Sequence, residues 1–270
     1  MSETALPFAP DSGLVSALAP SPNYGMRKAA VDMILLHYTG MESAQAALAL
    51  LRSPAAEVSC HYVVLEDGTV VQMVPEAARA WHAGVSSWDG TTDINSRSIG
   101  IEIVNPGHSL GYPDFPEVQV TAVGALCADI IARHAIRADR VLAHSDVAPL
   151  RKDDPGEKFP WDLLHRAGIG HLVPEAPARG GRFFMIGDGG EPVAALQAML
   201  ALYGYGIDVT GTFDEQTRAT VTAFQRHFRR SKVDGVADAS TIMTLRDLIA
   251  ARPQEGTPPH GHGDGCGAHS

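Results

Sequence analysis

This chain of 270 residues has no long hydrophobic run, no excess of basic residues and only three cysteines. No stretch approaches the ~18 continuous apolar residues that a spanning helix needs, so we expect no membrane insertion. Lys and Arg number 21 against 31 Asp and Glu, a net charge of −10 that gives no electrostatic reason for nucleic acid to be a partner. The three cysteines are odd in number and widely spaced, which argues against a disulfide framework or a Cys-x-x-Cys metal site.

The N-terminal segment also carries no readable export signal. Glu3 precedes the first basic residue, Arg27, and prolines interrupt what would have to be an apolar run. This absence predicts a cytoplasmic protein, and a periplasmic or cell-envelope location is the alternative.

Composition divides the chain into five parts. Residues 1–20 are rich in Pro, Ser and Ala and are predicted to form an extended leader. An α/β domain over 21–170 is followed by a linker rich in Pro and Gly over 171–185. A small helical domain covers 186–252, and a Gly, Pro and His tail over 253–270 is predicted to be disordered.

The first domain alternates strand and helix patterns. An Asp67-Gly68 turn between two apolar runs predicts a β-hairpin. Amphipathic spacing predicts helices over Ser43–Leu51 and Glu117–His134. Buried strands are predicted at three further runs: Val31–His37, Ile99–Val104 and Arg140–His144. The pattern therefore predicts an α/β fold with a mixed central β-sheet flanked by helices.

An internal repeat marks the second domain. Gly211-x-x-Asp214-x-x-Thr217 recurs 24 residues later as Gly235-x-x-Asp238-x-x-Thr241. In each unit Gly suits a turn and Asp suits a helix N-cap. Together with a helix over Val193–Tyr203, the repeat predicts a small all-α domain of three helices.

Two of the twelve histidines stand where a site could form. His37 and His144 each end a predicted strand, and ligands gather at the carboxyl ends of strands in open α/β sheets. The loop after His144 concentrates carboxylates, and Asp154, ten residues on, can fold back to it. Two imidazoles and one carboxylate are a common catalytic zinc set, whereas magnesium prefers oxygen ligands alone.

Glu102 is the one charged residue in the apolar run Ile99–Val104. A charge inside such a strand is costly unless it is paired or used chemically. A functional carboxylate is the favoured interpretation, and a salt-bridged structural residue is the alternative.

Five motifs follow one another along the first domain. They are His37-Tyr-Thr-Gly, Ser59-Cys-His-Tyr-Val-Val, Ala80-Trp-His-Ala-Gly84, Ile99-Gly-Ile-Glu-Ile-Val-Asn105 and Ala143-His-Ser-Asp-Val-Ala-Pro-x-Arg-Lys-Asp-Asp-Pro-Gly156. Together, from about residue 21 to 170, they resemble the zinc-dependent N-acetylmuramoyl-L-alanine amidases of the type-2 family, especially the anhydro-muramyl amidases. The C-terminal repeat is similar to the small helical peptidoglycan-binding module.

The resemblance implies a role for each matching residue. Glu102 is expected to be the general base, and Lys152 is expected to stabilise the transition state. The choice of Asp154 over Asp153 as a ligand follows the spacing of the family. One zinc ion per chain is expected, with three protein ligands: His37, His144 and Asp154.

Four further residues in these motifs are expected to line the substrate groove, where structural packing or hydrogen bonding is the alternative for each. They are His61, Trp81, His82 and Asn105. Five other histidines are assigned to surface or packing roles: His108, His134, His165, His171 and His227.

The predicted activity is hydrolysis of the amide between the lactyl group of N-acetylmuramic acid, including its 1,6-anhydro form, and L-alanine. Peptidoglycan or muropeptide fragments are the expected partners, and the helical domain would hold the enzyme near polymer. Two alternatives are a zinc peptidase that cuts within the stem peptide and a non-catalytic peptidoglycan receptor.

Overall fold

A computed structural model describes residues 8–177 and 180–253 of the chain. The predicted disorder of the tail falls, apart from Pro253, on residues outside these ranges. None of the helices in the described part of the chain has the length and apolar character needed to cross a membrane.

The first domain is built on a six-stranded mixed sheet with the strand order β1-β5-β4-β7-β3-β8. All neighbouring pairs are parallel except β4 and β5, which form the predicted antiparallel hairpin. A separate antiparallel pair joins β2 and β6. The strands are β1 Ala17–Leu18, β2 Tyr24–Met26, β3 Met33–Tyr38, β4 Tyr62–Val64, β5 Val70–Gln72, β6 Ala78–Ala80, β7 Ser98–Ile103 and β8 Val141–Ala143.

Helices flank this sheet, so the predicted α/β fold with a mixed sheet is confirmed. Ser43 caps the first helix by accepting a hydrogen bond from the backbone N–H of Ala46. The helices of this domain are α1 Ala44–Leu51, α2 Ile94–Arg97, α3 Glu117–His134, α4 His144–Val147 and α5 Trp161–Arg166.

Two local features differ from the sequence patterns. The strand predicted over Arg140–His144 ends at Ala143, and His144 begins α4, because the Asp146 carboxylate accepts from the backbone N–H of Ala143 and turns the chain. The predicted leader contributes β1, which extends the sheet by pairing with β5.

The C-terminal helices α6 Glu191–Tyr203, α7 Glu215–Phe228 and α8 Ala239–Ala250 form the small helical domain that the repeat predicts. Asp214 and Asp238 cap α7 and α8, because each carboxylate accepts a hydrogen bond from the backbone N–H three residues on. Both halves of the repeat therefore use the same turn and cap.

Both faces of the sheet are buried, one by helices of the first domain and the other by the helical domain. One face packs against α3 and α5 of the first domain. The opposite face contributes Met33 and Leu35 to a cluster that also contains Tyr203, Phe224 and Phe228 of the helical domain. The two domains therefore share a continuous apolar core on the face from which His37 projects.

Candidate metal centre and active site

The candidate site lies where neighbouring strands end. His37 is near the end of β3 and is in register with Glu102 on the parallel strand β7. His144 follows the last residue of β8, which is the other neighbour of β3. Residues in register on adjacent parallel strands point to the same face, so the sheet places the His37 and Glu102 side chains side by side.

Three side chains converge here on one point. The Nδ1 atoms of His37 and His144 are 2.9 Å apart, and the Asp154 Oδ2 atom lies 3.1 Å from the first and 3.0 Å from the second. All three residues are buried. The backbone N–H of Ser145 donates to the Asp154 carbonyl at 3.0 Å, which fastens the loop that carries the carboxylate to α4.

The outer nitrogens of both imidazoles have defined partners. The His144 Nε2 atom is 3.1 Å from the carbonyl oxygen of Ala83, so Nε2 carries the proton. The Ser98 hydroxyl donates to the Ile94 carbonyl and accepts from His82 Nε2, which leaves His82 Nδ1 to accept from His37 Nε2 at 3.0 Å. This network assigns a lone pair to Nδ1 of both His37 and His144.

Three electron-rich atoms within about 3 Å of one another repel unless a cation lies between them. Burial, followed by the neighbouring His144, lowers the pKa of His37 to about 4, so its imidazole is neutral. Burial alone would raise the pKa of Asp154, but the two imidazoles outweigh it and hold that pKa well below its usual range. Neutral imidazoles and an ionised carboxylate are the forms that ligate a metal ion.

Asp153, the other carboxylate that sequence spacing allowed, points away from this group. It is exposed, and its Oδ1 atom lies 2.8 Å from Nη1 of Arg226 on α7. The structure therefore groups Asp154, not Asp153, with the two histidines.

Glu102 faces the groove beside the donor group. Its Oε2 atom is shielded from solvent and has no hydrogen-bond partner among the described residues. Burial, reinforced by the charge of Asp154, raises the pKa of Glu102 well above its usual value, although nearby Lys152 opposes this shift. An unpaired carboxylate with a raised pKa beside a metal-type site is suited to accept and return a proton.

A groove of about 390 Å³ opens above these residues. Its apolar wall includes Leu50 and Leu51 of α1, and Lys152 lines it close to the donor group. Trp81 and His82 also line the groove, and their substrate-binding role stays a prediction. His82 also accepts a hydrogen bond from His37 Nε2 through its Nδ1 atom.

His61 and Asn105, the other two predicted substrate-binding residues, do not line the groove. His61 is fully buried, accepts from the backbone N–H of Gly100 through Nδ1, and contacts the carbonyl of Ala78 through Nε2. Asn105 donates to the carbonyl of Pro113 and accepts from the backbone N–H of Gly107. Both side chains fix backbone segments in place.

Of the groups that orient the two histidines, the sequence motifs named only His82, for which hydrogen bonding was the alternative role. Ser98 and the Ala83 carbonyl gave no recognisable pattern. Gly100 did, because an isolated glycine inside an apolar strand often marks a close approach of another group. Here that group is the His82 ring, which lies directly against Gly100.

Comparison with known proteins agrees with this geometry. The profile of a family described as N-acetylmuramoyl-L-alanine amidase matches residues 27–157, and that of a peptidoglycan binding domain family matches residues 189–245. The chain is 40% identical over 240 residues to N-acetylmuramoyl-L-alanine amidase AmiD of Escherichia coli, covering 83% of this chain and 84% of AmiD. It is also 41% identical over 104 residues to 1,6-anhydro-N-acetylmuramyl-L-alanine amidase AmpD of E. coli, covering 38% and 55%.

Two solved structures resemble the whole two-domain arrangement. One is E. coli AmiD with the substrate anhydro-N-acetylmuramic acid-L-Ala-D-gamma-Glu-L-Lys, at a TM-score of 0.71 and 35% identity, covering 83% of this chain and 91% of AmiD. The other is AmpDh3 of Pseudomonas aeruginosa in complex with anhydromuramic pentapeptide, at a TM-score of 0.73 and 32% identity, covering 86% and 94%.

Fold, donor group and similarity together define the chain as an amidohydrolase with a His/His/Asp metal-type site. It belongs to the N-acetylmuramoyl-L-alanine amidase family and carries a C-terminal peptidoglycan-binding domain. The family and the enzyme class expected from the sequence motifs are thereby confirmed.

Proposed function

We propose that this amidase holds one zinc ion through His37, His144 and Asp154 and hydrolyses the lactyl-L-alanine amide of peptidoglycan or muropeptide fragments, including those with 1,6-anhydro-N-acetylmuramic acid. The observation that carries the proposal is the convergence of three lone-pair-bearing atoms within about 3 Å, beside an unpaired Glu102.

Zinc fits this donor set better than magnesium or calcium does. Two neutral imidazoles and one carboxylate combine borderline nitrogen ligands with one hard oxygen, whereas magnesium and calcium favour shells of oxygen alone. The outer hydrogen bonds to Ala83 and His82 fix both rings with their lone pairs directed inward, as metal-ligating histidines require.

When bound, zinc lowers the pKa of a water molecule to about 7 and polarises the scissile carbonyl. Glu102 supplies the proton transfers. Its Oε2 atom accepts the proton of the attacking water and returns it to the amine of L-alanine as the amide bond breaks. Its raised pKa suits both steps, because a carboxyl group whose pKa lies nearer to neutral pH holds the proton after taking it up and is available to donate it.

Lys152 supplies a positive charge at the same end of the groove. We assign it to the oxyanion of the tetrahedral intermediate, where one well-placed donor contributes about 3 kcal/mol. Trp81 offers an apolar face for the sugar ring or the lactyl group.

The relatives support the choice of substrate. AmiD and AmpDh3 are described in complex with anhydro-muramic peptides, and AmpD is named as a 1,6-anhydro-muramyl amidase. For this chain we infer that the groove accepts the same class of ligand, and that the helical domain raises the local concentration of the enzyme near polymer. A cytoplasmic location, with the periplasm or envelope as the alternative, stays a prediction.

The test combines metal analysis with product analysis. Purified wild-type protein is expected to contain about one equivalent of zinc, and Asp154→Asn should lose most of it. Asp153→Asn is the matched control, because Asp153 is not one of the three grouped donors and the variant should still contain about one equivalent of zinc when zinc is in excess.

Mass spectrometry of a digested muropeptide identifies the bond that is cut. Release of an intact stem peptide that begins with free L-alanine supports the proposal. Fragments cut within the peptide would identify a peptidase instead, and no cleavage by zinc-loaded protein would indicate a receptor.

A further inference from the structure

The helix that carries His144 is held from outside the first domain. Asp146, two residues after His144 on α4, is completely buried and points toward the helical domain. Its Oδ1 atom accepts from the Tyr205 hydroxyl at 2.7 Å, and its Oδ2 atom lies 2.6 Å from Nδ1 of His227. Only the backbone N–H of Ala143 contributes a hydrogen bond from the first domain to this carboxylate.

The His227 ring cannot readily turn away from this position. It stacks on Trp161 with ring centroids 3.6 Å apart and on Phe228 at 3.8 Å, and it is buried. A side chain with both ring faces packed and one nitrogen hydrogen-bonded has a single low-energy orientation. His227 therefore acts as a rigid support for Asp146.

The rest of the ligand loop is held by the same helix, α7. Arg226 pairs with Asp153, the residue directly before the ligand Asp154. Arg230, which follows α7, donates to the Phe159 carbonyl at 3.0 Å and to Asp162 at 2.6 Å. The segment 144–162, which contains two of the three candidate metal ligands and Lys152, is thus contacted along its length by the C-terminal domain.

The two domains also contact each other away from the site, at Arg252. This second contact allows an effect of positioning on the metal centre to be distinguished from an effect of domain docking alone. Arg252 at the end of the helical domain donates to Asp139, which lies just before β8, at 2.8 Å. If the domains only adhered to one another, contacts at Arg252 and at His227 would affect the metal centre equally.

We propose that Tyr205 and His227 of the helical domain are positioning residues for the metal centre, which act through Asp146 on His144. The peptidoglycan-binding domain is then a structural part of the active site as well as a tether. This inference rests on the zinc site proposed above.

The experiment uses the full chain with Tyr205→Phe, His227→Phe and the double variant. Both substitutions keep the ring and remove the hydrogen bond to Asp146. Zinc affinity is measured by competition with a chromogenic chelator, and kcat and KM are measured on a soluble anhydro-muropeptide that needs no polymer binding. Arg252→Gln is the control at the remote part of the interface.

We expect the double variant to bind zinc about 10-fold more weakly, the lower end of the range for losing a hydrogen bond to a ligand itself, because Asp146 holds the backbone N–H of Ala143 beside His144 and not the His144 ring. At saturating zinc, kcat should fall while KM stays within about twofold, since the groove residues are unchanged. Arg252→Gln should lower the melting temperature without changing zinc affinity. His227→Asn, whose amide can donate near the position of Nδ1, should recover part of the lost affinity.

Wild-type zinc affinity in the double variant, or an equal loss in Arg252→Gln, would overturn the inference. Tyr205→Phe removes a single hydroxyl, so it keeps the test valid if the double variant fails to fold. A wild-type chain that binds no zinc would refute the proposed function and this inference together, whereas tight binding by wild type and variants alike refutes the inference alone.

Discussion

The ring of His82 occupies the space in which a side chain at Gly100 would lie. A Cβ atom placed on Gly100 would lie 2.5 Å from Cγ of His82, closer than carbon atoms approach without displacement. Because residue 100 has no side chain, His82 can lie against β7, and from this position its Nδ1 atom accepts a hydrogen bond from His37 Nε2. A glycine on one strand thereby determines which nitrogen of a histidine on the next strand faces the metal centre.

Gly100→Ala should therefore damage the metal centre without touching a ligand. The methyl group displaces His82, and His37 loses the partner that fixes its ring. We expect zinc affinity to fall about 10- to 100-fold and stability to fall by about 1–3 kcal/mol from overpacking, measured by chelator competition and by urea unfolding. Gly124→Ala in α3 is the control, because the nearest side-chain atom is an ordinary 3.8 Å from the added Cβ. Unchanged zinc affinity in Gly100→Ala would contradict this role of His82.

Glu102→Gln should separate proton transfer from metal binding. The amide keeps the size of the side chain but cannot accept the proton of water, so kcat should fall about 10²- to 10⁴-fold. Zinc content and the affinity for a muropeptide should stay close to wild type. If the variant retains wild-type kcat, Glu102 is not the general base.

The same variant has a predictable effect on the stability of the metal-free protein. Because burial raises the folded-state pKa of Glu102, its contribution to stability is fully present below the unfolded value of 4.5 and is lost as pH rises through the raised pKa. Near pH 8 the metal-free Glu102→Gln protein should thus melt at a higher temperature than wild type, and the difference should shrink at low pH. Scanning calorimetry across this pH range tests the sign.

Much of the fold could be predicted from the sequence because it depends on local patterns, and the donor group could be predicted because its residues lie in motifs that resemble a known family. The apolar run that became β3, the Asp67-Gly68 turn and the repeated Asp caps are each specified within a few residues. Asp154 lies with the two histidines as the motif spacing implied.

What could not be predicted depends on which parts of the chain meet in space. His227 gave no signal, since its partner Asp146 is 81 residues away and belongs to the other domain. His61 and His82 both occur in motifs with apolar neighbours, yet His61 is buried beside β7, where it bonds to Gly100, while His82 reaches the groove. Only the pairing of distant strands separates these two environments.

Trp81 and His61 should accordingly give opposite kinetic phenotypes. Trp81→Ala removes a groove wall and should raise KM for a soluble muropeptide severalfold with kcat largely retained. His61→Ala removes a buried hydrogen-bond acceptor for Gly100 and should lower stability by about 1–3 kcal/mol. Steady-state kinetics and thermal unfolding of both variants distinguish the two roles. A raised KM with unchanged stability in His61→Ala would restore the substrate-binding role predicted from its motif.

Glu76 is the residue for which we expect the strongest acid dependence of stability away from the active site. Burial alone would raise its pKa, but hydrogen bonds from Arg133, His134 and Tyr62 outweigh burial and lower it to about 2, from an ordinary value of 4.5. The stability from these contacts is present above pH 4.5 and is lost as pH falls toward 2, and linkage puts it at roughly 3 kcal/mol. Glu76→Gln should therefore be less stable than wild type at pH 7 and nearly equal to it at pH 2.

Asp129→Asn is the matched control, because Asp129 contacts the same Arg133 at the surface, where an exposed pair contributes about 0–1 kcal/mol. Urea unfolding of the three proteins at both pH values measures the difference. A Glu76→Gln penalty that persists unchanged at pH 2 would mean that packing around Tyr62, rather than the ionised carboxylate, provides the stability.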